Sequence, residues 1–317
     1  MKMKYLFGPV PSRRLGISLG VDLVPHKVCS LNCVYCEVGR TTNLTIERNG
    51  YIPVDEVIDE LKNYLNQKPE LDFITFSGQG EPTLNSGLGQ VITFIKDNYP
   101  QYKVAVITNG TLFWDKEVRD EVSRADVLLP SLDAVSELSF LKINRPNKNL
   151  NINQIIEGLI KLRKEFKGKI YLEIFLVPNM NDTREELILL KDEIQKIKPD
   201  LVQLNTLDRP GTESWVQSVS RKKLEEICDF FKPIPVEIIS KPENRKKIQS
   251  FNQNIADQIL ETIKRRPCTD TELSEILNIH LNELNKYLSE LIDYNVITSE
   301  RKERGIFFKI NNENTNL

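Results

Sequence analysis

Short apolar runs alternate with helix-like segments along most of the chain, and this alternation limits the fold more than any other feature. The runs are rich in Val, Ile, Leu and Phe, which is typical of parallel strands buried on both faces. The predicted strands are Leu15–Val24, Leu71–Ser77, Lys103–Thr108, Asp126–Leu132, Ile170–Val177 and Leu201–Leu207. The predicted helices are Val54–Leu65, Leu88–Asn98, Lys116–Arg124, Ile152–Glu165, Arg184–Ile197 and Arg221–Phe231. This succession predicts an α/β protein with a parallel sheet and right-handed crossovers.

Two architectures fit six strand–helix units of this kind. One is an open, doubly wound sheet, and the other is a curved, partial (β/α)6 barrel of the TIM type. We favour the partial barrel, because segments rich in Gly, Asn, Ser and Asp follow successive strands. The carboxyl ends of parallel strands meet at one edge, where active sites lie in both architectures.

The pattern changes after residue 240. A polar, charged stretch indicates a linker over residues 241–250. Three helical segments and two strand-like pieces follow: Ile255–Arg265, Asp270–Leu277, Leu281–Tyr294, Val296–Ser299 and Gly305–Ile310. This order predicts a small winged helix–turn–helix domain over residues 251–317, after a barrel domain over residues 1–240.

Three of the five cysteines lie within eight residues, in the segment Cys29-Ser-Leu-Asn-Cys33-Val-Tyr-Cys36. Cysteines so close in sequence rarely pair with one another, whereas thiolates that bind one metal centre need this clustering. A zinc site is the alternative. It would need a fourth ligand and usually shows paired C-x2-C spacings, and only His26 lies near. The isolated Cys228 and Cys268 are expected to be packing residues.

The composition is ordinary for a soluble globular protein, with 40% hydrophobic and 28% charged residues. A formal net charge of −2 argues against a surface that binds nucleic acid everywhere, but it allows a local basic patch. We find neither a signal peptide nor an apolar run of the roughly 18 residues that a membrane span needs. The expectation is a cytoplasmic protein.

The C-x3-C-x2-C motif, with Tyr35 before its last cysteine, resembles the signature of the radical S-adenosylmethionine (SAM) superfamily. The resemblance covers roughly residues 7–240. It implies that Cys29, Cys33 and Cys36 ligate three irons of a [4Fe–4S] cluster and that SAM chelates the fourth. It also implies that an electron, from a donor such as ferredoxin or flavodoxin, cleaves SAM to a 5′-deoxyadenosyl radical that abstracts hydrogen from a substrate.

Other segments at strand ends fit the same superfamily. Phe76-Ser-Gly-Gln-Gly-Glu-Pro-Thr resembles the glycine–glutamate motif that binds the amino group of SAM. The resemblance implies SAM contacts for Gly78, Gly80, Glu81, Asn109, Ser131, Asp133, Tyr35 and Val177. An ordinary strand-to-helix turn would also explain the glycines, but not the carboxylate beside them.

The segment Phe7–Asp22 resembles a narrower, uncharacterised group of radical SAM proteins related to the wyosine-base synthases of tRNA. The resemblance favours an RNA base as the substrate, followed by a protein residue or a small molecule. Arg13, Arg14, Arg145 and Arg209 are candidates for binding a phosphate or carboxylate, or for structural salt bridges.

The last predicted helix, Leu281–Tyr294, is not suited to contact DNA phosphates, because acidic residues outnumber basic ones along it. We expect the C-terminal domain to dock a protein or present a substrate. The alternative from another functional class is a winged-helix regulator that senses iron or redox state through its cluster.

Overall fold

The computed structural model describes residues 3–207, 211–239, 253–302 and 305–311. The chain divides into two units, Met1–Leu6 with Ser12–Pro242 and Phe7–Pro11 with Glu243–Leu317. In the described ranges, no helix combines the length and the apolar character needed to cross a bilayer.

The main sheet is built from strands that succeed one another along the first three quarters of the chain. The strands up to residue 238 are β1 (Leu6–Ser12), β2 (Gly16–Val21), β3 (Val28–Cys29), β4 (Asn43–Leu44), β5 (Phe73–Phe76), β6 (Lys103–Thr108), β7 (Val127–Pro130), β8 (Lys169–Phe175), β9 (Leu201–Asn205) and β10 (Val236–Ile238). Eight of them form one sheet in the order β1-β2-β5-β6-β7-β8-β9-β10. The pairings from β2 through β10 are all parallel. The predicted parallel α/β sheet is therefore confirmed.

Helices connect the strands, and all of them except α4 correspond to predicted helices. They are α1 (Val54–Leu65), α2 (Leu88–Asn98), α3 (Lys116–Glu121), α4 (Glu137–Ile143), α5 (Ile152–Glu165), α6 (Arg184–Ile197) and α7 (Arg221–Phe231). Their apolar faces join one side of the sheet in a large core that includes Leu61, Ile92 and Leu159. The other side of the sheet carries a small apolar cluster of Leu15, Ala105, Val127 and Leu129. Polar side chains lie among the buried residues of the same strands, Glu173 and Gln203 being examples.

Several of these elements were not predicted, namely β1, β3, β4, β10 and α4. Strand β1 contains Gly8, Pro9 and Pro11, which hide its extended pattern because Gly and Pro are depleted in strands. Strand β10 has only 3 residues, too few for a period to show. Helix α4 has only 7 residues, and its N-cap is Ser136, whose hydroxyl accepts a hydrogen bond from the backbone N–H of Ser139.

The second unit contains the three predicted helices and the predicted hairpin. Its elements are α8 (Gln253–Arg265), β11 (Cys268–Thr269), α9 (Asp270–Leu277), α10 (Leu281–Asp293), β12 (Ile297–Lys302) and β13 (Gly305–Ile310). The strands form an antiparallel sheet in the order β11-β13-β12. Within this unit the ring of Phe7 stacks on His280 with centroids 4.2 Å apart. The backbone N–H of Gly8 donates to Glu283 Oε2 at 3.3 Å.

Candidate active site

The cysteine loop runs between β3 and β4, two short strands that pair in parallel. Backbone hydrogen bonds fasten it to the end of α4: Val34 N–H donates to the carbonyl of Ile143 at 2.9 Å. Asn32 N–H donates in the same way to the carbonyl of Asn144 at 2.9 Å. The loop is thus held by a helix that lies more than a hundred residues later in the chain.

Each of the three cysteine sulfurs accepts a hydrogen bond from a different side chain. The donor–sulfur pairs are Asn109 Nδ2 with Cys29 at 3.5 Å, Asn144 Nδ2 with Cys33 at 3.5 Å and Lys27 Nζ with Cys36 at 3.0 Å. Donors of this kind stabilise a thiolate, and hydrogen bonds to the sulfurs are a normal part of iron–sulfur sites. Among the described residues, no group of three or more His, Cys, Asp and Glu side chains is placed to hold a metal ion. The fit to a cluster therefore rests on the three thiols as metal ligands, each with one hydrogen-bond donor to its sulfur.

Burial keeps two of these thiols protonated in the chain alone. It raises the pKa of Cys29 to about 11 and raises the pKa of Cys33 as well. Thiols lose their protons when they bind a metal, so metal binding at this loop releases protons and depends on pH.

Lys27 lies directly ahead of the loop and is only 4% exposed. Burial lowers the pKa of its ammonium group, but the sulfurs of Cys36 and its neighbours outweigh that effect and raise the pKa above its ordinary value. Lys27 therefore carries a buried positive charge beside the thiols. The sequence analysis assigned Lys27 no role, although Lys27 lies only two residues before Cys29.

Glu81 connects the glycine-rich loop to the end of β6. Its Oε1 accepts from Thr83 N at 3.1 Å, Thr83 Oγ1 at 2.7 Å and Thr108 Oγ1 at 2.6 Å. Its Oε2 accepts from Asn109 N at 2.7 Å. Burial raises the pKa of Glu81, and these donors lower it in part. Glu81 therefore fixes Asn109, which in turn donates to the sulfur of Cys29.

The glycines of this loop occupy places where a side chain does not fit. Gly78 has a φ of +146°, and a Cβ there would lie 1.5 Å from Asp22 Oδ1. A Cβ on Gly80 would lie 2.2 Å from the carbonyl oxygen of Val28, beside the cysteine loop. The close approach of two backbone segments, rather than a turn alone, requires glycine at residue 80.

We expect Gly80→Ala to lower the free energy of unfolding by about 1–3 kcal/mol, because the added methyl overpacks a backbone contact. The matched control is Gly50→Ala, since nothing lies within 4 Å of a Cβ at that position. The control should stay within about 0.5 kcal/mol of the parent chain. Urea denaturation measures both. Equal stability of the two variants would show that the glycine-rich loop moves away from Val28 without cost.

Asp133 links the end of β7 to the cysteine loop. Its Oδ2 accepts from Tyr35 OH at 2.5 Å and from Asn144 Nδ2 at 2.7 Å, and its Oδ1 accepts from Phe175 N at 2.8 Å. Burial raises the pKa of Asp133 to about 6, although the three donors lower it. Because Asn144 also donates to Cys33, this carboxylate orients the donor of one of the thiols. The sequence analysis named Asp133 but assigned Asn144 no role.

Tyr35 and Val177 lie in a small apolar cluster under the loop. The ring of Tyr35 stacks on Phe175 with centroids 3.8 Å apart. Val177 is 1% exposed and packs in the same cluster as Phe175 and Val34. Both predicted residues are therefore close to the loop, and both contribute to its packing.

One cavity brings together three of the predicted SAM-binding residues, Asn109, Ser131 and Asp133. Its lining also includes Leu31 of the cysteine loop, together with Asn144. The remaining lining residues are Thr111, Leu132, Ala134, Phe140, Ile152 and Ile155. A few polar groups converge on apolar walls here, as they do in ligand sites, but the empty space of about 260 Å³ is below the roughly 300–1,000 Å³ that is usual for them.

The arginines singled out in the sequence have different surroundings. Arg14 forms a buried ion pair with Glu173 of β8, whose other oxygen accepts from Asn205 Nδ2 at 2.9 Å. Burial raises the pKa of Glu173, but the charges of Arg14 and Arg13 and the Asn205 amide hold it below its ordinary value. Arg14 thus has a structural partner. Arg209 lies outside the described residues.

Arg145 flanks the cysteine loop. Its Nη1 donates to Glu213 Oε1 at 2.7 Å, and Arg40 Nη2 donates to the same oxygen at 3.0 Å. The backbone N–H of Glu213 donates to the carbonyl of Val34 at 3.0 Å, so this carboxylate is anchored on the loop itself. Trp215, two residues further, is 46% exposed. Two guanidinium groups and an exposed indole therefore lie around the loop.

A family model described as the radical SAM superfamily matches residues 23–190 of the chain, a range that includes the cysteine loop and the cavity. A UPF0026 protein of Methanocaldococcus jannaschii is 33% identical over 298 residues, which are 91% of this chain and 91% of that protein.

A protein of Brachyspira hyodysenteriae named GTPase Obg is 35% identical over 312 residues, or 98% of this chain. The chain spans only 46% of that protein's length. The sequence of this chain has no G-x-x-x-x-G-K-[ST] phosphate-binding motif.

Among solved structures, a radical SAM methyltransferase from Sphaerobacter thermophilus superposes with a TM-score of 0.53 at 18% identity. The match covers 70% of this chain and 65% of that one. At this identity the likeness concerns the fold alone, and it supports an α/β sheet of the partial-barrel type.

Proposed function

Because this chain belongs to the radical SAM superfamily, within its UPF0026 group, we propose that it cleaves SAM reductively and uses the resulting radical to abstract hydrogen from an RNA base. Proteins of the superfamily use a [4Fe–4S] cluster and SAM. When bound, the cluster supplies the electron for that cleavage. The observation that carries the proposal is the set of three cysteine sulfurs in the loop, each of which accepts a hydrogen bond from a different side chain.

The proposed ligands of the cluster are Cys29, Cys33 and Cys36. Asn109, Ser131 and Asp133 are proposed to hold SAM, because they line one cavity next to the loop. Gly78 and Gly80 let the backbone approach the cofactor, and Val177 is proposed to support the adenine.

Two of the predicted residues are proposed to act by positioning. Glu81 already accepts hydrogen bonds from Thr83, Thr108 and Asn109, so we assign it to orienting Asn109. Tyr35 donates to Asp133 and stacks on Phe175, so we assign it to holding the loop.

An RNA substrate is supported by the surface around the loop. The side chains of Arg40 and Arg145 are 70% and 39% exposed, and both meet at Glu213. Guanidinium groups bind phosphates, and an exposed aromatic ring such as that of Trp215 provides a surface on which an unpaired base stacks.

We propose that residues 251–317 form a winged-helix-like domain, joined to a barrel domain (residues 1–240) by a linker (residues 241–250). Its helix α10 corresponds in order to the helix that reads DNA in this motif, where the first turn contacts the bases. In the second unit that turn is covered, since Phe7 stacks on His280 and Gly8 donates to Glu283. This arrangement disfavours the DNA-binding regulator.

The test is anaerobic reconstitution with iron and sulfide, reduction with dithionite and measurement of 5′-deoxyadenosine formed from SAM. We expect product, and we expect bulk tRNA to increase its rate in a salt-sensitive manner. A cluster that forms without any SAM cleavage, with or without RNA, would contradict the enzyme proposal. Stimulation by a co-purifying protein but not by RNA would redirect the substrate to a polypeptide.

A further inference from the structure

Lys27 is a buried lysine whose position is fixed by its backbone. Its φ of +57° places it in the left-handed region. Its N–H donates to the carbonyl of Gln79 at 2.7 Å, and its own carbonyl accepts from Thr42 N at 3.1 Å. Lysine is almost never buried unless it has a partner. The partner that the structure gives the ammonium group is the sulfur of Cys36, at 3.0 Å.

The donor at Cys36 differs in kind from the donors at the other two cysteines. Asn109 and Asn144 offer neutral amides at 3.5 Å from their sulfurs. Lys27 offers a full positive charge at a shorter distance, and charge-assisted hydrogen bonds are roughly twice as strong as neutral ones. The ammonium group of Lys27, directly ahead of the loop, is therefore directed at the site where the cluster is proposed to bind.

We propose that Lys27 sets the reduction potential of this cluster by stabilising its reduced form. The inference rests on the cluster proposed above. Reduction adds one electron from an external reductant, so the cluster and its thiolates become more negative by one charge while no bond is made or broken. A nearby buried cation favours the more negative state, because attraction between charges is strong where water is excluded. Net charge and hydrogen bonds to sulfur are known determinants of iron–sulfur potentials.

The experiment is a redox titration of the reconstituted protein without SAM, followed by electron paramagnetic resonance. Lys27→Met removes charge and donor, Lys27→Gln removes the charge, and Lys27→Arg retains both. At the midpoint potential of the parent protein, we expect the ratio of reduced to oxidised cluster to fall at least tenfold in Lys27→Met. This corresponds to a midpoint potential that is lower by about 59 mV for one electron. Lys27→Arg should stay within about threefold. The matched control is Lys96→Met, because Lys96 of α2 pairs with Asp126, directly before β7, rather than with sulfur.

The outcomes separate this inference from the proposed function. Absence of any cluster in the parent protein would refute the function itself. An unchanged potential in Lys27→Met would overturn the inference alone, and a fall in SAM affinity at unchanged potential would assign the ammonium to the SAM carboxylate instead. Loss of iron from Lys27→Met and Lys27→Gln, with retention in Lys27→Arg, would show that Lys27 holds the cluster rather than sets its potential.

Discussion

Cys33→Ala is expected to abolish the formation of 5′-deoxyadenosine from SAM and to lower the iron retained after reconstitution. Cys33 is the central cysteine of the loop, and its sulfur accepts from Asn144 at 3.5 Å. Removing one of three thiolates leaves a second iron without a protein ligand, and the loop offers no substitute sulfur. Product is measured by chromatography under anaerobic conditions, and iron is measured on the desalted protein.

The matched control is Cys228→Ala. Cys228 packs half-buried against the core from α7, far along the chain from the loop. Its loss should leave iron content and SAM cleavage unchanged, apart from a modest decrease in stability. Full activity of Cys33→Ala would remove the cysteine loop from the chemistry. Equal losses in both variants would point to folding rather than to ligation.

Breaking the Arg14–Glu173 ion pair is expected to produce the largest loss of stability. The side chains of Arg14 and Glu173 are only 16% and 10% exposed. Arg14→Met leaves the carboxylate buried without its cation, which costs about 3–5 kcal/mol of unfolding free energy. Removing both charges, as in Arg14→Met with Glu173→Gln, should recover much of that loss, because no buried charge then remains unpaired.

Urea denaturation of the four proteins in this cycle measures the coupling between the two residues. Lys116→Met serves as a control, since Lys116 and Asp120 pair on the surface at 71% and 60% exposure, where about 0.5 kcal/mol or less is expected. The coupling also depends on pH. The pKa of Glu173 is lowered in the folded protein, so the stabilisation is present above the ordinary glutamate pKa of about 4.3 and disappears as pH falls below it. A coupling near zero at neutral pH would contradict the assigned role.

The sequence predicts the alternating strands and helices of the main sheet well. Strands such as β6 and helices such as α5 and α6 have the predicted bounds, because long periodic apolar patterns report burial directly. The cysteine loop was recognisable for a different reason, since ligand spacing is local in sequence. Edge strands and the short helix α4 were missed, because their patterns are brief or interrupted by proline.

The contacts that organise the site were not predictable in the same way. Asn144 lies 111 positions from Cys33, and Tyr35 lies 98 positions from Asp133. No local pattern states that such residues meet. The partners of Glu81 were not predictable either, since a carboxylate beside glycines has the same sequence whether it faces a ligand or its own backbone.

The segment at residues 211–213 closes over the cysteine loop, and this has a consequence for biosynthesis. Thr212 Oγ1 donates to the carbonyl of Cys36 at 3.0 Å across 176 positions of sequence, and Gly211 packs against the backbone of Tyr35. A nascent chain therefore exposes its cysteines long before the residues that cover them have left the ribosome. In that interval the thiols are accessible to iron and sulfide, because the segment at residues 211–213 that covers the loop has not yet been synthesised.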